Sequence, residues 1–101
     1  MNMEYLKDHI CEELADAQEY ATHAIELKPM TQAWSKTFID MAAAEMSHAA
    51  YLYKMFVEYY QKISSTYSEV PDYIEEMYRE TCRCYSSESA KAKYIIEMYA
   101  K

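Results

Sequence analysis

The chain has 101 residues, 51% of them apolar, which is enough for one domain with a modest core and too few for two. Seventeen acidic and ten basic residues give a formal charge of −7, which disfavours nucleic acid and anionic membranes as partners and leaves open whether the charge attracts cations or only keeps the protein soluble. No apolar run reaches the ~18 residues of a membrane span. The start also lacks a secretory signal pattern, so we expect a cytoplasmic protein.

Glycine is absent and there are only two prolines, which indicates long helices because strand proteins need glycine-rich turns. The first predicted helix covers about residues 4–27 and ends before Pro29. Read in steps of four and three, its apolar stripe consists of Leu6, Ile10, Glu13, Ala17, Tyr20, Ala24 and Leu27. The neighbouring face carries Glu12, Asp16, Glu19, His23 and Glu26. One carboxylate, Glu13, therefore interrupts a seam made for another helix.

The second predicted helix covers about residues 31–63, with Thr31 as a candidate N-cap. One apolar stripe consists of Trp34, Phe38, Met41, Glu45, His48, Leu52, Met55 and Tyr59. Another consists of Ile39, Ala42, Met46, Ala49, Tyr53, Phe56, Tyr60 and Ile63. A single partner helix cannot cover both stripes, so this helix is predicted to be central and to pack against at least two neighbours.

The third predicted helix covers about residues 72–100, with Asp72 and Glu75 forming a capping-box-like start. Its middle, residues 82–87, has weak helix propensity and is expected to bend or break the helix. The predicted architecture is all-α: a single domain, residues 1–101, in which an antiparallel helical hairpin is followed by a C-terminal helix.

Glu13 and Glu45 occupy equivalent depths of the predicted hairpin. Each lies sixteen residues from Pro29, which is roughly 24 Å at ~1.5 Å per residue. His48 follows Glu45 by three residues and therefore shares its helix face. The carboxylates that interrupt the two seams are thus predicted to meet beside an imidazole. A buried carboxylate is costly unless it is paired, hydrogen-bonded or bound to a metal, so a mutually hydrogen-bonded Glu–His pair remains the alternative to a metal site.

Two glutamates and one histidine make half of a carboxylate-bridged di-metal site. Such sites use four carboxylates and two imidazoles, with two of the carboxylates in Glu-x-x-His motifs. This chain has three histidines and one such motif, Glu45-x-x-His48. A two-fold axis along the hairpin face would supply Glu13, Glu45 and His48 a second time and would cover the open seam of the second helix. Site and homodimer are therefore predicted together.

These residues resemble the iron-binding motif of ferritin-like proteins: Glu13 with Tyr20 seven positions later, then Glu45-x-x-His48 on the next helix. The short chain with a single half-site is most similar to the encapsulated ferritins. The resemblance covers roughly residues 9–52. It implies a ferritin-like four-helix bundle formed by dimerisation, with Glu13, Glu45 and His48 as iron ligands. It also implies a catalytic site that includes Tyr20, which would hydrogen-bond a ligand carboxylate.

By this resemblance the chain would oxidise Fe(II) with O2 at a di-iron site, with manganese or another divalent metal as an alternative occupant. Other open alternatives are peroxide reduction by a di-iron or di-manganese site, and a non-enzymatic helical assembly module. The family forms rings of dimers inside an encapsulin compartment. Glu19 and Ala15 depart from the family's pattern, and no Gly-containing tail of the shell-directing kind is present. These departures argue against targeting to a shell, but a location inside such a compartment and a ring larger than the dimer stay open alternatives.

The remaining metal-ligand residue types are open to simpler interpretations. His9 is either an extra ligand or a surface residue, and His23 either assists metal entry or is merely solvated. Cys11, Cys82 and Cys84 are interpreted as reduced thiols. Side chains two apart on a helix point about 200° from each other, so Cys82 and Cys84 are poor joint ligands.

Overall fold

The computed structural model describes residues 2–101 and contains three helices: α1 (Met3–Leu27), α2 (Gln32–Thr66) and α3 (Asp72–Ala100). No strand occurs among these residues, so the all-α class is confirmed. The molecule is a rod of 57 × 20 × 15 Å. Within the described range no helix combines the length and apolarity that crossing a membrane requires.

The hairpin turn between α1 and α2 is defined at both ends by local hydrogen bonds. The amide of Thr31 donates to the carbonyl of Leu27 at 2.9 Å. The Thr31 hydroxyl accepts from the amide of Trp34 at 3.5 Å, which confirms the predicted N-cap. Close to the turn, the buried Ser35 hydroxyl donates to the carbonyl of Ala24 at 2.6 Å. This contact fixes the antiparallel register of the two helices.

Buried residues recur every seven positions on both helices of the hairpin, as in a coiled coil. On α1 they include Met3, Ile10, Ala17 and Ala24, and on α2 Ser35, Ala42, Ala49 and Phe56. The residues are small toward the turn and larger toward the opposite end. Small side chains permit close helix approach near the turn, and the larger ones at the far end join Leu6 and Leu14 in one apolar cluster.

The third helix packs along α1 and completes this cluster. Partly buried side chains of α3 contact it, namely Ile74, Met77, Tyr78 and Tyr85. Residues later in α1 contact residues later in α3, so the two helices run parallel. The Cys11 and Cys84 sulfurs are 3.2 Å apart, and the Gln18 amide donates to the Glu88 carboxylate at 2.9 Å. That hydrogen bond lowers the pKa of Glu88.

The second apolar stripe of α2 is the one covered within the chain. Tyr53 stacks on Tyr85 at 4.0 Å between ring centroids, and Tyr60 stacks on Tyr78 at 3.8 Å. Together with Ala42, Ala49 and Phe56 these residues face α1 and α3. Most of the first stripe, which carries Glu45 and His48, lies outside this packing, although Leu52 contacts the core cluster.

The start of α3 differs from the predicted capping box. Pro71 is the N-cap, Asp72 is the first helical residue, and no side chain caps the helix. The Glu75 carboxylate instead accepts a hydrogen bond from the Tyr60 hydroxyl at 2.6 Å, an interaction that raises the pKa of Tyr60. The capping-box prediction was therefore wrong, because a tertiary partner on α2 takes the carboxylate that would have reached back.

Two further features of the helices differ from expectation. Helix α3 continues without a break through residues 82–87, where a bend or break was expected. Weak propensity costs only a few tenths of a kcal/mol per residue, and packing of Cys84 and Tyr85 on the other helices outweighs it. Helix α2 extends to Thr66 rather than Ile63. The Thr66 hydroxyl donates to the carbonyl of Lys62 at 2.7 Å within this added turn.

Candidate metal centre

Glu13 lies on α1 at the edge of the hairpin interface, between the buried positions Ile10 and Ala17. Its side chain is 21% exposed. One carboxylate oxygen, Oε2, is fully buried and has no hydrogen-bond partner. Burying a polar atom without a hydrogen-bond partner costs free energy. A cation or a proton donor bound to this oxygen would offset that cost.

Glu45 and His48 approach this oxygen from α2. The His48 Nδ1 atom lies 3.5 Å from Glu13 Oε2 and 3.6 Å from Glu45 Oε1. Both separations are longer than an ordinary hydrogen bond between nitrogen and oxygen. Glu45 is 20% exposed and His48 57% exposed, so the carboxylates lie deep in the site and the imidazole lies at its mouth.

The three side chains form a group with the geometry of metal ligands. One ligand atom from each of Glu13, Glu45 and His48 can be chosen so that all lie within 4.8 Å of one another. Atoms bound to one divalent ion at about 2.1 Å lie roughly 3–4.2 Å apart in octahedral geometry, which covers the two distances from His48. Three ligands leave about half of an octahedral shell to be filled from elsewhere. The donor set fits iron or manganese and is incomplete within one chain.

Tyr20 is not part of this group. Its ring packs against Phe38 of α2, with 6.0 Å between ring centroids, toward the turn end of the hairpin. The catalytic role of Tyr20 therefore remains a prediction that the geometry of a single chain does not test.

The other candidate histidines lie on exposed faces of α1. The His9 ring packs against Tyr5 at an angle of 44°, and its Nδ1 lies 3.8 Å from Glu12. His23 has Glu19 at 3.6 Å and Glu26 at 3.5 Å on the same helix. Neither histidine belongs to a three-ligand group within the described residues. Both positions are consistent with the simpler surface interpretation.

An exposed apolar strip surrounds the candidate centre. It follows the first stripe of α2, in which Trp34 is 65% exposed, Met55 41% and Tyr59 40%, whereas Phe38 packs against Tyr20 and Leu52 against the core cluster. We call this surface the open face; its members are Trp34, Phe38, Met41, Glu45, His48, Leu52, Met55 and Tyr59. Several large exposed side chains along one stripe of a helix are typical of an interaction surface. Glu45 and His48 lie at the middle of the open face.

The sequence did not indicate that Cys11 lies beside a second thiol, that of Cys84. Burial, followed by the neighbouring Cys84 thiol, raises the pKa of Cys11 to about 11. The sequence indicated only that both cysteines fall near apolar helix faces. It did not indicate that α3 runs parallel to α1, which is what brings Cys84 beside Cys11.

Comparison of the chain with protein-family models, with curated protein sequences and with solved structures finds no match. The class of protein that the fold defines is thus a three-helix, all-α rod with a carboxylate–histidine group on an unpaired face.

Proposed function

We propose that the protein binds Fe(II) and oxidises it with O2 at a di-iron site that two copies of the chain build together. The observation that carries the proposal is the buried, unpartnered Oε2 of Glu13 beside Glu45 and His48. A cluster that served only structure would be expected to satisfy this oxygen with a donor. A cation would satisfy it instead, and it would hold the two carboxylates and the imidazole in one place.

The ligand types support iron or manganese over other metals. Carboxylates suit hard cations, and imidazole suits iron, zinc and copper. Cys11, Cys82 and Cys84 are absent from the group, which disfavours a structural zinc site of the thiolate kind. Carboxylate-bridged pairs of iron or manganese ions use the Glu-x-x-His motif that Glu45 and His48 form.

The open face supports the second half of the site. Two copies that meet along this face would bring together four glutamates and two histidines, the full ligand set of a di-iron carboxylate centre. The same contact would cover Trp34, Met55 and Tyr59 and give a four-helix bundle made of two hairpins. A two-fold axis is the simplest symmetry that places identical residues opposite each other.

In the proposed reaction O2 takes one electron from each of two Fe(II) substrate ions and, with two protons, becomes hydrogen peroxide. Glu45, on the helix at the centre of the open face, would bridge the two ions. Glu13 would bind one ion through its buried oxygen, and His48 would supply an imidazole ligand.

The binding half of the proposal is tested by anaerobic titration of metal-free protein with Fe(II). We expect about one Fe per chain for the wild type. Glu45→Ala and His48→Ala should each weaken binding at least tenfold, since each removes one of three ligands per half-site. His23→Ala is the matched control, because His23 also has two glutamates within 4 Å but lies outside the ligand group. Unchanged binding in both ligand variants would overturn the proposed site.

The oxidation half is tested by mixing the Fe(II)-loaded protein with O2 and following Fe(III) absorbance. We expect oxidation faster than in buffer alone for wild type and His23→Ala, and near the buffer rate for Glu45→Ala. If iron binds without faster oxidation, the ferroxidase claim is wrong while the metal site stands. If no metal binds, the Glu–His group is a polar device within a helical assembly module.

A further inference from the structure

Two of the three cysteines face each other across the interface of α1 and α3. The sulfurs of Cys11 and Cys84 lie 3.2 Å apart, although 73 positions separate the residues in the sequence. Both side chains are partly buried and both are free thiols. Cys82 lies two positions before Cys84 and is next to Tyr53 of α2 and Tyr78 of α3. The structure therefore selects one pair among the three possible pairs.

We propose that Cys11 and Cys84 are a dithiol modification site at which a hydroperoxide forms a reversible disulfide between α1 and α3. A disulfide needs its sulfurs at about 2.05 Å, so bond formation requires them to approach by little more than 1 Å. The neighbouring contacts hold the two helices in the required register. Gln18 donates to Glu88 at 2.9 Å, and the Lys28 ammonium contacts Tyr99 further along the same interface.

A hydroperoxide is the oxidant in the proposed reaction. The Cys84 sulfur attacks the peroxide O–O bond, since the raised pKa of Cys11 disfavours the reactive thiolate there; Cys84 becomes a sulfenic acid while one molecule of water or alcohol leaves. The second thiol then attacks the sulfenic sulfur, the S–S bond forms, and the sulfenic oxygen leaves as water. The two thiols lose two electrons and two protons in total, and the peroxide gains them. A thiol reductant reverses the step by exchange.

The bond would tie the third helix to the hairpin. It would close a loop of more than seventy residues, and a long closed loop restricts the unfolded chain strongly. We therefore expect the oxidised chain to unfold at a temperature at least about 5 °C higher than the reduced chain. The proposal does not depend on iron, because the thiols and the peroxide are sufficient for the chemistry.

The test uses metal-free, full-length protein treated with hydrogen peroxide, with diamide as a second, peroxide-free oxidant. We expect the mass of the chain to fall by two hydrogen atoms, and a peptide map to link the segments that carry Cys11 and Cys84. Cys11→Ser and Cys84→Ser should abolish both changes. Cys82→Ser is the matched control and should form the bond as the wild type does. Dithiothreitol should restore two thiols and the lower melting temperature.

Three outcomes would overturn the proposal. The first is persistence of all three thiols after oxidation by either reagent in folded protein. The second is a disulfide that includes Cys82. The third is a bond between two chains rather than within one, visible as a dimer on a non-reducing gel. Because iron is excluded throughout, none of these outcomes bears on the proposed metal site, and loss of iron binding would not affect this disulfide.

Discussion

At the scale of single residues, Glu13 is the clearest conflict between stability and the proposed binding role. Its Oε2 is buried without a hydrogen-bond partner, and its surroundings on α1 are the apolar positions of the hairpin seam. An apolar residue would suit this position better if the fold alone mattered. A residue that lowers stability and is chemically suited to a ligand is a candidate for a functional site.

Replacement of this residue should therefore stabilise the protein when no metal is present. We expect Glu13→Leu to raise the free energy of unfolding by about 1–3 kcal/mol in the presence of a chelator, because the unpaired buried oxygen is removed. Urea denaturation followed by circular dichroism measures the difference. Glu12→Leu is the control, since the Glu12 side chain is 71% exposed and its replacement should change stability by less than about 0.5 kcal/mol. A destabilised Glu13→Leu variant would contradict the assignment of strain to this carboxylate.

At the scale of secondary-structure elements, the decrease in side-chain size toward the turn determines how closely α1 and α2 approach each other. Ala17, Ala24, Ser35 and Ala42 are fully buried near the turn, whereas Phe56 is fully buried at the far end. Close-packed interiors tolerate added methylene groups poorly. The small residues are thus the reason that the backbones come close enough for Ser35 to reach the Ala24 carbonyl.

Enlarging a side chain in the narrow part should separate the helices. We expect Ala42→Leu to lower the free energy of unfolding by about 1–3 kcal/mol, because the added atoms have no space in the seam. Ala43→Leu adds the same atoms at an exposed position of the same helix and should change stability by less than about 0.5 kcal/mol. Equal effects of the two substitutions in urea denaturation would show that the seam is not tightly packed.

At the scale of the whole molecule, the open face is the largest feature that a single chain leaves unexplained. Helix α3 packs on the other side of the hairpin, against α1 and the second stripe of α2, so it cannot cover Trp34 or Met55. The rod is only 15 Å thick in its shortest direction, and a second rod along the open face would thicken it to a bundle. The proposed dimer would cover the side of α2 that α3 leaves exposed.

A charge placed on the open face should weaken the proposed dimer without touching the metal ligands. We expect Met55→Glu to raise the dimer dissociation constant at least about tenfold, which corresponds to roughly 1.4 kcal/mol. Analytical ultracentrifugation over a range of concentrations measures it. Tyr94→Glu on α3 is the control, because Tyr94 is 64% exposed and lies on a helix outside the open face. A wild-type chain that is monomeric at all concentrations would contradict the proposal.

Much of the fold and of the candidate centre could be predicted from local patterns. The spacing of apolar residues indicated three helices, and Thr31 was identified as a cap because its side chain acts on its own helix. The equal distances of Glu13 and Glu45 from Pro29 predicted that the carboxylates would lie near each other, and they do. Such features depend on short separations or on a hairpin whose geometry follows from helical rise.

Other features depended on tertiary packing alone. The sequence could not indicate which stripe of α2 the third helix covers, because both stripes are apolar. Nor could it indicate that α3 runs parallel to α1 with Cys11 beside Cys84, or that Tyr60 takes the carboxylate of Glu75. Each of these results from competition between similar surfaces over long sequence separations. The sequence by itself determined the helices and the grouping of Glu13, Glu45 and His48, and only the packing of α3 decided that this group lies on the open face.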